Sequence, residues 1–312
     1  MPMPQLRDGF DALAARRVLD GALEIATPDG FISGPAAFDA VIERFETADG
    51  DALACRSRAA VAHAATLGPS QASELSARLY CYGRRPASPR WRRALPRRDS
   101  VAEYLGFHNG LPGGSDVAAA WLPNHGDRAS DGWFSWYRRP ANGGPIAQSY
   151  KLYVSPSAEA LRDAFAPIVA ALADVETVSF KVGADVYGVL RPDKLVAYFA
   201  TLAAVERAAA ALASRLRGID AHGVPFTTAL TSDGLLSWGC DPPSLSAAPA
   251  RESWRLWVTN RLADALMRAK VNPHAGVAPE RFALARIALD GVDPDSWAPA
   301  SVAWRCAAAA EV

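Results

Sequence analysis

The sequence lacks the signatures that most quickly assign an activity. It contains no HExxH, no GxSxG, no GxxxxGK[ST] and no GxGxxG. The usual sequence grounds for a zinc protease, an α/β-hydrolase, a P-loop nucleotide enzyme or a dinucleotide enzyme are therefore missing. Cysteine is sparse: Cys55, Cys81, Cys240 and Cys306 lie far apart and form no CxxC. That spacing argues against a disulfide framework or a structural zinc site, and unpaired, mostly buried thiols are expected. The five histidines are scattered as well. No apolar run is long enough to span a bilayer. The opening MPMPQLRDGFDALAARR lacks the apolar core of a signal peptide, so the cytoplasm is the expected location. Neither sign of charge predominates: 33 Lys and Arg balance 33 Asp and Glu. The overall charge thus gives no reason to expect nucleic acid or an anionic membrane as a partner.

Half of the 312 residues are apolar, enough for a sizeable core in one large domain or two moderate ones. Apolar residues at three- and four-residue spacing predict helices over 6–27 and 36–82, for example Phe38, Val41, Ile42 and Phe45, then Leu75, Leu79 and Tyr82. Breaks fall at Gly30, Gly34 and Leu67-Gly68-Pro69. The segment GRRPASPRWRRALPRRDS, 83–100, carries seven arginines and three prolines. It reads as a solvated linker or exposed loop, or else as a docking strip for an acidic peptide or partner. Beyond it, glycine, asparagine and aromatic residues suit turns and short strands. SYKLYVSP and TVSFKVG, 177–183, read as strands. Ser157 is placed to cap a helix over 158–173, bent near Pro167. RPDKLVAYFATLAAVERAAAALASRLRG reads as one long helix, with Pro192 in its first turn and Gly218 at its end. VPFTTAL and LLSWG supply further strand, and the chain from about 252 is helical again. The expected fold class is α+β: a helical region over 1–100, with its Arg/Pro-rich linker at 83–100, then an α+β core with a helical C-terminus over 101–312.

Chemistry concentrates in one window. Lysine is scarce, with four in the chain, yet Lys151, Lys181 and Lys194 fall within 44 residues of one another and Arg191 lies among them. In SYKLYVSP, strand alternation places Lys151, Tyr153 and Ser155 on one face and Tyr150, Leu152 and Val154 on the other. In VSFKVG, Ser179, Lys181 and Gly183 oppose Val178, Phe180 and Val182. A solvated polar face is the plain reading of each strand alone. Together, clustered cations suit binding a phosphate and abstracting a nearby proton. Repulsion and burial lower a lysine's pKa and make its neutral amine available as a base. A phenol on the same face can deliver or hold a proton, and arginine forks bind phosphate oxygens. These parts would support β-elimination of phosphate without a metal or organic cofactor. His108, Asn109 and His125 read as loop residues. The tryptophans read as core, with Trp133 or Trp136 placed to line a peptide groove. Asp241-Pro242-Pro243 reads as a rigid turn.

The window resembles the bacterial phosphothreonine lyases. Lys151-Leu152-Tyr153-Val154-Ser155 is similar to their Lys-x-His strand, and Phe180-Lys181-Val182 to their Phe-Lys-Val strand. A closer resemblance is to the HopA-type effector-like family found in gene clusters for class V lanthipeptides and thioamitides. It is carried by Asn124 to Gly132-Trp133, YKLYVSP, SFKVGADVYGVLRPDKLVAYF, VPFTTALTSDGLLSWGCDPP and GVDPDSW, covering roughly 100–298. The resemblance implies a lyase-like α+β fold with a mixed, mainly antiparallel sheet. It implies a lyase that converts phosphoserine or phosphothreonine of a ribosomal precursor peptide to dehydroalanine or dehydrobutyrine, with a separate kinase and cyclase as partners. Lys151 would be the base, and Tyr153 would stand where the acid histidine is expected. Lys181, Arg191 and Arg255 would hold phosphate, with Asp193 or Lys194 orienting the others. The missing histidine leaves a second reading: a scaffold that binds a phosphopeptide or a partner enzyme without turnover.

Overall fold

In the computed structural model, the structure describes residues 4–21, 24–28, 30–45, 47–48, 50–68, 71–107, 120–124, 132–138, 149–242, 252–271 and 277–299. The chain forms two compact units. The first comprises Met1–Tyr82, Pro225–Thr228 and Pro242–Val312, and the second Gly83–Val224 and Ala229–Asp241. This grouping differs from the expected division near residue 100: segment 83–100 goes with the sheet, and the C-terminal helices go with the N-terminal ones.

The first unit is mostly helical, but its first forty-odd residues are not the helix that their apolar spacing predicts. Strand β1 (Gln5–Leu6) pairs with β4 (Ile42–Arg44), and β2 (Glu24–Thr27) forms a hairpin with β3 (Gly30–Ser33). Helices α1 (Ala12–Asp20) and α2 (Pro35–Val41) lie between them in sequence. Gly30 and Gly34 both have positive φ, which ends helical continuity at each point. Asp11 and Asp51 cap α1 and α3 (Ala52–Thr66) by accepting backbone N–H bonds. With α4 (Ala72–Tyr80) and two later helices they enclose a core that includes Leu53, Val61, Leu75, Leu79, Leu262, Leu266 and Phe282.

The second unit starts with a correction. The arginine- and proline-rich segment is not an open linker but two short helices, α5 (Pro89–Ala94) and α6 (Arg98–Tyr104). Ser88 caps α5 and Pro89 starts it. Leu95, Val101 and Leu105 are buried in the main core, with Trp91 and Tyr104 packed against it. Burial of these apolar residues fixes a segment whose composition alone suggests a loop.

The sheet has seven strands in the order β10-β11-β7-β9-β8-β6-β5. They are β5 (Trp121–Pro123), β6 (Trp133–Arg138), β7 (Tyr150–Val154), β8 (Ser179–Gly183), β9 (Leu195–Phe199), β10 (Thr228–Ala229) and β11 (Leu236–Cys240). The β5–β6, β6–β8, β8–β9, β9–β7 and β7–β11 pairs are all antiparallel. The α+β architecture with a mainly antiparallel sheet is therefore as expected. Helix α7 (Leu161–Ala173) joins β7 to β8, and Ser157 accepts the Ala160 N–H just before it. Pro167 lies inside that helix. The four-residue helix α8 (Val186–Val189) follows β8, and Asp185 caps it.

The predicted long helix from 191 is overturned. Its first part, Leu195–Phe199, is the strand inserted between β7 and β8, and only Leu202–Arg215 forms helix α9, capped by Thr201. A five-residue apolar run reads equally as strand or helix by periodicity, and pairing on both edges decides the matter. Helices α7 and α9 cover one sheet face, burying Leu152, Val154, Phe180, Val182, Leu195, Ala197 and Phe199 with Phe165, Ile168, Val205 and Leu212.

Helices α10 (Trp254–Val271) and α11 (Pro279–Leu289) complete the first unit. Among the described residues, no helix is long and apolar enough to cross a membrane. The thiols also differ from expectation. Cys240 is buried, but Cys55 and Cys81 are exposed. Cys306, with His108, Asn109 and His125, lies outside the described residues.

Candidate active site

The alternation that buries Leu152, Phe180 and Ala197 turns Lys151, Tyr153, Lys181, Val196 and Tyr198 to the opposite sheet face. Strand register places Lys151 beside Tyr198, and Lys181 beside Val196, with β9 between the two lysines. The ammonium nitrogens of Lys151 and Lys181 lie 5.8 and 5.7 Å from the centre of the Tyr198 ring. Both lysines therefore converge on a single aromatic ring.

Their surroundings differ. Lys151 is 6% exposed and forms an ion pair with Asp241, which follows β11 directly. The Asp241 N–H donates to the Ser149 carbonyl at 2.8 Å, fixing the carboxylate beside β7. Lys181 lies over the Trp133 ring, 4.4 Å from its centre. Burial pushes the Lys181 pKa down to about 8, with the Lys151 and Arg191 charges adding to that fall and Asp193 and Asp241 opposing it. A group with that value offers an appreciable neutral fraction near neutral pH.

Arg191 and Asp193 border this pair. The Arg191 guanidinium donates two bonds to the Asp193 carboxylate, each 2.8 Å, and lies 5.1 Å from the Trp133 ring centre. Asp193 is 4% exposed, so the fork is held in a low-dielectric setting. The loop carrying it depends on close backbone contact. A Cβ on Gly183 would sit 2.4 Å from the Gly188 carbonyl carbon, so no side chain fits there. Tyr153 is 3% exposed, and its ring packs with Val196 and Val224.

The other two expected residues are engaged elsewhere. The fully buried Lys194 donates to the Pro156 carbonyl at 2.8 Å and pairs with His222 Nδ1 at 3.0 Å. His222 Nε2 lies 2.7 Å from the Gly83 carbonyl, which only accepts, so Nε2 carries the proton and Nδ1 receives the Lys194 bond. Burial lowers the Lys194 pKa to about 7. Arg255 belongs to the helical unit, where it donates to the carbonyls of Pro225 and Tyr80 and lies over the Tyr80 ring.

The sheet thus gathers Lys151, Tyr153 and Lys181, with Arg191 and Asp193 at their border. Sequence reasoning did not find Tyr198, Asp241 or His222. Tyr198 falls inside the predicted helix, although Leu195, Ala197 and Phe199 alternating with Val196 and Tyr198 carry the strand period. Asp241 opens Asp241-Pro242-Pro243, a sequence that reads as a turn. Of the two tryptophans considered for a groove, Trp133 borders the cations, whereas Trp136 is buried among Phe107, Phe134 and Phe180. Among the described residues, no three of His, Cys, Asp and Glu gather as metal ligands would.

No known protein family matches the sequence. No curated protein matches it either. Solved structures do. An effector protein from Pseudomonas syringae pv. tomato aligns over 80% of this chain and 99% of its own, with 13% identity and a TM-score of 0.50. An effector protein from Pseudomonas syringae pv. syringae aligns over 80% and 98%, with 16% identity and a TM-score of 0.44. The Chromobacterium violaceum VirA (SpvC) phosphothreonine lyase effector aligns over 45% and 71%, with 15% identity and a TM-score of 0.34. The first of these likenesses shows a shared fold.

Proposed function

We propose that this protein is a phosphoserine/phosphothreonine lyase acting on a ribosomally made precursor peptide. The observation that carries the reading is the convergence of Lys151 and Lys181 on Tyr198, with the Lys181 pKa lowered to about 8. The similarity of their two strands to those of phosphothreonine lyases supports it.

The amine of one lysine takes the Cα proton of the phosphorylated residue. The C–H electron pair becomes the Cα=Cβ bond, and the Cβ–O bond breaks with its electrons leaving on phosphate. The product is a dehydroalanine or dehydrobutyrine residue. The step needs a base and cations around the leaving group, and it changes no oxidation state outside the substrate. The resemblance gives the base role to Lys151 and phosphate binding to Lys181. The electrostatics favour exchanging them. Lys181 is the lysine whose pKa burial lowers to about 8, whereas Lys151 is ion-paired with Asp241. In this assignment Lys181 is the base, Lys151 and Arg191 bind the phosphate, and Asp193 orients Arg191. Tyr153 stabilises the departing phosphate as a hydrogen-bond donor. A peptide kinase would supply the substrate, and a cyclase would consume the dehydroamino acid.

The ion pair between Lys151 and Asp241 also suits a second reading, a phosphopeptide-binding scaffold without turnover. One experiment separates the two. Phosphoserine and phosphothreonine peptides, including the native precursor, are incubated with wild type, Lys151→Ala and Lys181→Ala, and followed by mass spectrometry. The lyase reading expects wild type alone to remove phosphoric acid at full rate, with Lys181→Ala the most impaired. Binding of the phosphorylated precursor with no mass loss in any sample would establish the scaffold instead.

A further inference from the structure

The formal charge of the whole chain is zero, yet residues 83–100 carry seven arginines and one acidic residue, Asp99. The fold sorts this segment by face. Trp91 packs against the main core and Leu95 is buried within it. These two positions, four apart, mark the inward side. Arg84, Arg90, Arg92, Arg93 and Arg97 are all exposed. Among the described residues, none of the five has a carboxylate within ion-pairing distance. Ordinary surfaces intersperse both signs, so a one-sign row of this density on an electrically balanced protein requires an explanation.

Both ends of the row are attached next to the candidate active site. At one end the Arg85 N–H donates to the Leu190 carbonyl at 3.1 Å, immediately before Arg191. At the other, Arg98 donates to the Trp133 carbonyl at 2.9 Å and lies over the Phe134 ring, 4.1 Å from its centre. Trp133 is the residue whose ring carries Lys181 and Arg191. The row thus begins and ends on residues that adjoin Arg191 and Trp133, with Glu159 paired to Arg85 at its first end.

We infer that the arginine row over 84–97 is a docking surface for an acidic stretch of the peptide substrate, set outside the residue that undergoes elimination. This rests on the lyase reading for the identity of the peptide, but not for the docking itself. The chemistry favours a peptide over a nucleic acid. Helix α5 rises only about 9 Å, the reach of about three extended residues. That matches a short run of Asp and Glu better than the continuous phosphate track of a polynucleotide.

The test uses the full-length protein and fluorescein-labelled, unphosphorylated peptides, so that no turnover is needed. One peptide contains a run of Glu and Asp, and its control carries Gln and Asn at the same positions. Anisotropy is measured for wild type, Arg90→Glu/Arg92→Glu/Arg93→Glu and the milder Arg90→Gln/Arg93→Gln, with thermal melts confirming that each variant folds. Wild type should bind the acidic peptide at least about tenfold more tightly than its control, a difference of about 1.4 kcal/mol. Added salt should erode that preference, and both variants should reduce it. Equal binding of the two peptides by wild type, or an undiminished preference in the folded variants, would overturn the inference. So would tighter binding of a single-stranded RNA of equal charge. Elimination is then assayed separately on phosphorylated versions: failure there with intact docking counts against the lyase and not against the surface.

Discussion

Lys151 and Lys181 stand two strands apart and share one ring: their ammonium nitrogens are 5.8 and 5.7 Å from the centre of Tyr198. Strand β9 between them sets this spacing, and each lysine has a different second neighbour, Asp241 for Lys151 and Trp133 for Lys181. One sheet face therefore holds a lysine ion-paired to a carboxylate beside another whose pKa burial lowers to about 8.

If Lys181 is the base, Lys181→Ala should lower the elimination rate by about a hundred- to ten-thousand-fold. Lys181→Arg should not rescue it, because guanidinium stays protonated. Single-turnover mass spectrometry measures the rate directly, and phosphopeptide binding should persist in both variants.

The pH–rate profile should rise through about 8 and level off above it, since deprotonation of Lys181 creates the base. Two substitutions should move the midpoint in opposite directions. Lys151→Met removes a positive neighbour and should raise it. Asp241→Asn removes a negative neighbour and should lower it. Shifts of the same sign in both variants would refute the assignment.

Lys194 is fully buried, bonded to the Pro156 carbonyl and to His222. Its folded pKa is near 7, against 10.5 for an ordinary lysine. Between these values the unfolded chain binds more protons, so this group makes stability rise with pH over that window. The contribution has a limiting slope of about 1.4 kcal/mol per pH unit. Urea unfolding from pH 7 to 10 should show that component in wild type and not in Lys194→Met.

Gly183→Ala should destabilise the fold by about 1–3 kcal/mol through overpacking. The added Cβ would meet Gly188 backbone at 2.4 Å, contact that cannot be relieved by turning a side chain. Because Gly183 ends β8 just beyond Lys181, elimination should fall as well. Denaturant midpoints and rates measured on the same sample test both effects.

Much of the second unit was legible in the sequence because its signals are local. Period two in SYKLYVSP and VSFKVG marked both lysine strands and put each lysine on the polar side. Ser157 marked the turn before a helix, although that helix starts at Leu161 with Ala160 as its cap, and Gly218, at φ 79°, follows the end of another. The signal failed in LVAYF. There an apolar run next to an alanine-rich helix has no decisive period, and pairing with β7 and β8 supplies the missing information. It failed again over 83–100, where composition suggested a linker and burial of Leu95 and Val101 made helices.

The sequence by itself determined the α+β class, the two lysine strands and their outward faces, because alternation and capping depend only on neighbouring residues. Only the tertiary structure decided that the two lysines meet. The two lysines are 30 residues apart in the chain, and β9, which reads from sequence as helix, comes between their strands. The same holds for Asp241, ninety residues beyond Lys151, and for the His222 bond to Lys194. The same holds for the other cations: Arg191 lies over the Trp133 ring, and Arg255 donates to carbonyls in the helical unit. Charge and burial at a site depend on groups brought together by strand pairing and packing, and no local pattern in the chain encodes those distances.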